Sequence, residues 1–188
     1  MDCDCPEAIT AARELLPETG LIFGRQSKPF SHFLSVRPAC PHSAVYRSAG
    51  PKHACRAARV VIGWVDWIAD CGAPSIHETG ELVRFERGFE GTPANIDADV
   101  LISAVRRVAA AALLTRHWPT QGSRHHAFLA LAGVFGRAGW NIEDAKAFHR
   151  VIYRCIWPTN PDVAAADSEV QSTFEKHSAG GEVTLYRR

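Results

Sequence analysis

Two rhythms of hydrophobic and polar positions divide the chain. From Asp97 onward apolar residues return every three or four positions, the spacing of one helical face. Leu101, Val105, Val108 and Ala112 make the first stripe. Asp97 is placed to cap it, and Trp118-Pro119 to end it, because the residue before a proline avoids helical backbone. Residues 120–140 predict a second helix. It opens on a Thr120-Gln121-Gly122 turn with Ser123 at the N-cap, turns Phe128, Leu131 and Phe135 to a core, and stops at Gly139. A third stripe of Ile142, Ala145, Phe148, Ile152 and Cys155 starts at Asn141 and closes at Trp157-Pro158. A fourth helix is expected to start at Asp167 and run through Val170 and Phe174 to Gly180-Gly181. Four helices on short connections predict a small α-helical bundle over residues 95–188.

The first half has shorter periods and more breaks. Residues 6–16 carry a partial helical stripe of Ile9, Ala12, Leu15 and Leu16, with Pro6 at the first helical position. A Pro17-Glu18-Thr19-Gly20 turn follows, then a short apolar strand at residues 21–23 closed by Gly24. Residues 25–29 read as a polar, basic loop, and residues 31–36 alternate as a half-buried strand does. Residues 60–62 suit a buried strand, whereas residues 63–70 fit helix and strand equally. Residues 73–81 read as a turn-rich loop and residues 82–86 as a strand. Residues 89–95, with Gly91 and Pro93, read as a linker, which puts the domain boundary at 94/95. The expected fold is α+β: a partial sheet with one or two helices over residues 1–94, then the bundle.

Composition narrows the classes. A chain of 188 residues with 46% hydrophobic and 22% charged residues can bury a core. Its net charge of +1 does not demand a nucleic-acid partner, so any basic face must be local. No apolar run is long enough for a membrane span. The start MDCDCPEAIT is acidic and polar, unlike a signal peptide, so the expected location is cytoplasmic. Cys3-x-Cys5, Cys40-x-His42 and His53-x-Cys55 do not have the usual spacing of zinc ligand pairs, and zinc is not expected.

Three clusters carry candidate chemistry. Asp2 and Asp4 share one face if they lie on a strand, where two carboxylates can hold divalent cations. Locally they read better as acidic caps for the helix at Pro6, because only Met1 precedes them as strand. Arg25, Lys28 and His32 either surround an anionic ligand such as a triphosphate or belong to a solvated hairpin. Arg124, His125 and His126 crowd a helix start, where backbone N–H groups favour anions such as phosphate; on the pattern alone they read better as the solvated polar start of an ordinary core helix.

Four stretches, in their order along the chain, carry a resemblance: Asp2-Cys3-Asp4-Cys5-Pro6-Glu7-Ala8; Phe23-Gly24-Arg25-Gln26-Ser27-Lys28-Pro29-Phe30-Ser31-His32; Ala73-Pro74-Ser75-Ile76-His77-Glu78-Thr79-Gly80-Glu81; and Arg116-His117-Trp118-Pro119 through Gly139-Trp140. Together they resemble the primase–polymerase family of the archaeo-eukaryotic primase superfamily, found in phages, plasmids and mobile elements. The resemblance implies a partial primase-type α/β catalytic core followed by a helical domain. It implies metal-dependent nucleotidyl transfer from NTP or dNTP on a single-stranded DNA template, with Mg2+ or Mn2+. Asp2 and Asp4 match the metal-binding Asp-x-Asp. His32 matches the histidine that contacts nucleotide phosphates, with Arg25, Ser27 and Lys28 as weaker candidates beside it. Arg124 and His125 would contact nucleic acid, and a helicase domain or protein is a further expected partner.

The chain departs from that family at three places. The family carries a catalytic segment ahead of Asp-x-Asp, so the strand of Asp2 is expected to lack sheet neighbours. A third metal-binding acid has no aligned counterpart; Asp66 and Asp70 are the acids nearby. Residues 37–72 look foreign to the family, as a compensated frame change in the gene would make them. The competing expectations are a non-catalytic helical module that binds nucleic acid, and a truncated remnant with no activity of its own.

Overall fold

The computed structural model describes residues 1–36, 44–46, 58–62, 73–159 and 161–180, with residues 44–46 and 58–62 as backbone alone. The protein is α+β, and its contacts group into two compact units, residues 1–109 and 110–188.

The first unit is built on an antiparallel sheet. Its strands are β1 (Asp2–Cys3), β2 (Leu21–Arg25), β3 (Lys28–Phe33), β5 (Ala44–Tyr46), β6 (Ala58–Ile62), β7 (Ser75–Ile76) and β8 (Leu82–Glu90), in the order β5-β6-β1-β3-β2-β8-β7. Two further strands, β4 (Ser35–Val36) and β9 (Ala94–Asn95), pair in parallel. Helix α1 spans Pro6–Leu15 and buries Ala8, Ala11 and Ala12. Those small residues let a helix lie close, and Pro6 at its first position has no N–H to leave unpaired.

Asp2 is in a strand, not a frayed cap. It pairs with His32 on one side and Arg59 on the other, and Cys3 pairs with Ala58. The Met1 main chain exchanges bonds with Phe33: its nitrogen donates to Phe33 O (2.6 Å) and its carbonyl accepts from Phe33 N (2.9 Å). The expected lack of sheet neighbours is therefore overturned. Long-range ladder bonds on both edges hold a strand too short to show any period of its own.

The basic loop expected at residues 25–29 is mostly strand. β2 runs through Gly24 to Arg25, turns over Gln26 and Ser27, and returns as β3 from Lys28. The register gives Phe23↔His32 and Arg25↔Lys28, so Gly24 alone faces Pro29, Phe30 and Ser31 in a β-bulge. The linker expected at residues 89–95 holds the end of β8 and all of β9. Phe23, Ala73 and Val83 form a buried cluster between β2, β8 and the segment before β7, with Leu34 and Phe85 against it.

Helix α2 spans Ala98–Arg116, and Asp97 caps it by accepting from Asp99 N at 2.9 Å. Helices α3 (Arg124–Arg137), α4 (Ile142–Ile156) and α5 (Val163–Ser178) pack on one another. Their core holds Phe128, Ala132, Phe135, Phe148, Val151, Ile152, Ala166 and Val170, all under a tenth exposed. Gly139 ends α3 as expected, at φ +69°, with Gly139 N bonded to Gly136 O and Trp140 N to Phe135 O. This pair of bonds satisfies the last carbonyls of the helix. Asn141 caps α4 through Glu143 N at 2.8 Å.

Two expected caps differ. Ser123 stands at the N-cap position of α3, but its backbone is already helical and its side chain makes no capping bond. Asp162 caps α5 instead of Asp167, accepting from Ala165 N at 2.9 Å. Asp167 lies inside the helix and binds Arg150 of α4 through both oxygens at 2.6 Å. A forked guanidinium holds a carboxylate more strongly than one backbone N–H does. Residues 63–70, including Asp66 and Asp70, lie outside the described residues.

Candidate functional site

The sheet collects the polar residues of three separate stretches at β1, β3 and the β7–β8 turn. The His32 ring on β3 stacks on Phe23 of β2, with centroids 4.6 Å apart and planes 6° from parallel. The buried Ser31 hydroxyl lies 2.8 Å from His32 Nδ1. A hydrogen bond from that hydroxyl leaves the ring hydrogen on Nε2, which faces Asp2 Oδ1 at 3.3 Å. Burial holds the imidazole below its ordinary pKa of 6.5, and Lys28 adds to this, while the Asp2 carboxylate pulls the other way. The ring is therefore neutral near pH 7, a donor of one N–H rather than a fixed cation.

Lys28 is the second arm. Its Nζ lies 2.9 Å from Asp4 Oδ1 and 3.6 Å from Asp2 Oδ1. One ammonium thus bridges the Asp-x-Asp pair, and Asp4 is occupied there rather than capping α1. Asp2 Oδ1 is buried, yet no hydrogen bond reaches it. A buried carboxylate oxygen with basic groups near it but no hydrogen bond formed can still accept one.

Beside this patch, Arg25 and Ser27 meet the β7–β8 turn. Arg25 Nη1 lies 2.7 Å from His77 Nδ1, 3.3 Å from Thr79 Oγ1 and 3.5 Å from Glu81 Oε2. Glu81 also accepts from the Ser27 hydroxyl at 2.6 Å and the Ser27 amide at 2.9 Å. Those two bonds are the main reason its carboxyl stays below the ordinary carboxylate pKa. His77, Thr79 and Glu81 had no assigned role in the sequence reading. A turn gathers them: Gly80 N donates to His77 O at 2.8 Å and His77 N to Glu81 O at 2.9 Å, and Gly80 is its signal in the sequence.

The two residues expected to touch nucleic acid lie in the second unit, at the start of α3. Arg124 is half-buried; its Nε donates to Pro119 O at 3.4 Å and its guanidinium lies 5.5 Å from the Trp157 ring centre. His125 is exposed, with Nδ1 2.9 Å from Glu169 Oε1. Glu169 also accepts from the Tyr153 hydroxyl at 2.9 Å, and desolvation, then that bond, raises the phenol's pKa above its ordinary value. Trp118, Phe128, Tyr153 and Trp157 stack around this corner, with Phe128 4.6 Å from Trp118 and 4.2 Å from Tyr153.

Among the described residues, no three Asp, Glu, His or Cys side chains converge as a ready metal cage. Asp2 and Asp4 offer a hard cation two carboxylates, one with an unbonded buried oxygen, once the Lys28 ammonium now against both moves aside; water and phosphate would complete its shell. Among the described residues, no helix is long and apolar enough to cross a membrane. No protein-family model, curated protein or solved structure matches the chain.

Proposed function

We propose that the chain is a metal-dependent nucleotidyltransferase of the primase–polymerase type, acting on NTP or dNTP with a single-stranded DNA template. One observation carries the reading. Asp2, Asp4, Lys28 and His32, apart in sequence, share a single patch of the sheet, with Arg25 and Ser27 beside it. That patch combines what nucleotidyl transfer needs: a carboxylate pair for cations and basic donors for phosphate.

The roles follow from the chemistry of each group. Asp2 and Asp4 would hold Mg2+ or Mn2+, which would supply Lewis-acid activation and charge neutralisation for nucleotidyl transfer. His32 Nε2–H donates to a phosphate oxygen while Ser31 and Phe23 keep the ring plane fixed. The Lys28 ammonium and the Arg25 guanidinium supply the positive charge that the triphosphate requires. The helical unit is then the accompanying helical domain, and Arg124 and His125 face the nucleic-acid backbone.

Primer extension by the full chain, with Mg2+ or Mn2+ and each nucleotide pool, tests the reading. Extension lost in Asp2→Asn and in Asp4→Asn is the expected result. Extension unchanged in both variants overturns the metal-ligand assignment.

A second reading is a non-catalytic module whose helical unit binds single-stranded DNA. It is favoured by the Arg124 guanidinium over the half-buried Trp157 ring, because a cation beside an aromatic face is how bases and phosphates are gripped together. DNA binding that weakens with salt and with Arg124→Ala, in a chain that extends no primer, selects this reading.

A further inference from the structure

Lys28 and His32 are four residues apart on one strand. On an unbroken strand that separation is about 13 Å, too far for both side chains to reach one carboxylate oxygen. Their register partners, Arg25 and Phe23, are two residues apart, about 7 Å on the same scale. The bulge at Pro29-Phe30-Ser31 removes the difference, and so lets Nζ and Nε2 lie 3.6 and 3.3 Å from Asp2 Oδ1.

Holding that bulge is costly. Phe30 sits at φ +53°, left-handed backbone that a bulky L-residue rarely adopts. Its amide has left the ladder and donates instead to Glu86 Oε1 on β8, at 2.7 Å. Glu86 reaches it across Gly24. A Cβ at Gly24 would lie 2.6 Å from Lys28 O, 2.9 Å from Phe30 N and 2.9 Å from Glu86 Oε1. The missing side chain is therefore the space through which the carboxylate holds the bulge. The Phe30 ring is anchored in turn, with the Arg13 guanidinium 4.6 Å from its centre and Phe89 edge-on at 6.0 Å.

From this geometry we infer that Glu86, working through Gly24 and the Phe30 amide, is the positioning residue that brings Lys28 and His32 together as one phosphate-binding pair. It touches neither of them and has no part in the chemistry. The inference rests on the proposed function only for the nature of the ligand.

The test uses the full chain and two readouts. Amide exchange at Phe30 and the side-chain NMR shifts of Lys28 and His32 report the bulge itself. Calorimetric titration with inorganic tripolyphosphate, without metal, reports the binding pair. Glu86→Gln keeps an acceptor at the same reach, so Phe30 stays protected and affinity changes little. Glu86→Asp is one methylene short, so Phe30 exchanges fast, both side-chain signals move, and affinity falls roughly tenfold or more. Gly24→Ala has the same effect from the opposite side. Should Gly24→Ala fail to fold, the Gln and Asp variants decide alone. Glu86→Asp with Lys28 and His32 signals as in the wild type overturns the inference. Wild-type protein that binds no tripolyphosphate, with Phe30 protected and the Asp-variant shifts as expected, overturns the proposed nucleotide site and leaves Glu86 as the holder of the bulge.

Discussion

Acidification should weaken the helical unit through one residue, His149. It is fully buried, with Nδ1 3.1 Å from the Ala166 carbonyl on α5 and Nε2 3.2 Å from the Phe128 carbonyl on α3. A neutral ring has a single N–H and serves only one of these carbonyls. Protonation would supply the second donor, and Glu169 and Asp167 nearby favour it. Burial opposes it more strongly and holds the pKa below the ordinary 6.5. The unfolded chain then gains a proton near pH 6.5 that the folded chain refuses, so the unfolded state binds more protons and stability falls as pH falls. Between the ordinary value and the lowered folded value, the loss is up to about 1.4 kcal/mol per pH unit; below the folded value it levels off. Urea unfolding of the full chain from about pH 7.5 to about pH 5 measures this, with Trp64 and Trp67 replaced by Phe so that fluorescence from Trp118, Trp140 and Trp157 reports the unit. His149→Gln should flatten the difference in acid while costing about 1–3 kcal/mol at neutral pH. His32 shifts in the same direction in the other unit, so the comparison with the Gln variant isolates His149. A midpoint that is flat, or that rises on acidification, refutes the reasoning, because it would mean that the buried ring is a cation bonded to both carbonyls.

Three further outcomes are expected. Arg150→Ala, which removes the two-pronged pair with Asp167, should cost about 1 kcal/mol after solvent screening of side chains a third exposed, with the cost shrinking at high salt in the same urea assay. Gly139→Ala forces a side chain into φ +69° and should lower stability by about 1 kcal/mol, read as a lower urea midpoint. The Cys3 thiol is fully buried and its pKa is pushed up to about 12, chiefly by burial, so mass spectrometry after mild alkylation near pH 8 should find Cys155 modified well before Cys3.

The helical half was legible because its boundaries are local chemistry. Asn141, Gly139 and the two Trp-Pro steps act on backbone within a few residues, so their effect can be read from neighbours alone. Asp162 and Asp167 are the exception. Both are competent caps, and the choice between them was made by Arg150, on another helix. The sheet was less legible for the same reason carried further. β1 is two residues long, too short for any period, and it is a strand only because His32 and Arg59 lie on either side. β8 continues past Glu86 through Gly88 at φ +86°, where a glycine bends the strand without ending it. Asp2, Asp4, Lys28 and His32 were found as candidates from the order of motifs. Glu86 was not, because its role is a bond across a bulge that appears only once β2, β3 and β8 are in register.

The position of β1 in the sheet also bears on the order in which the patch forms. Lys28 and His32 belong to a hairpin closed by two residues, a contact of low sequence separation that can form early. The strand holding Asp2 is different. It joins β6 to β3 across the sheet, and its partners lie at residues 32 and 59, so two long loops must close before it is held. The hairpin that carries Lys28 and His32 can therefore form before the acidic arm is held, although the bulge that pairs them waits for Glu86 of β8. During that interval Lys28 has no carboxylate beside it, and a polyanion in the medium can engage the chain before folding is complete.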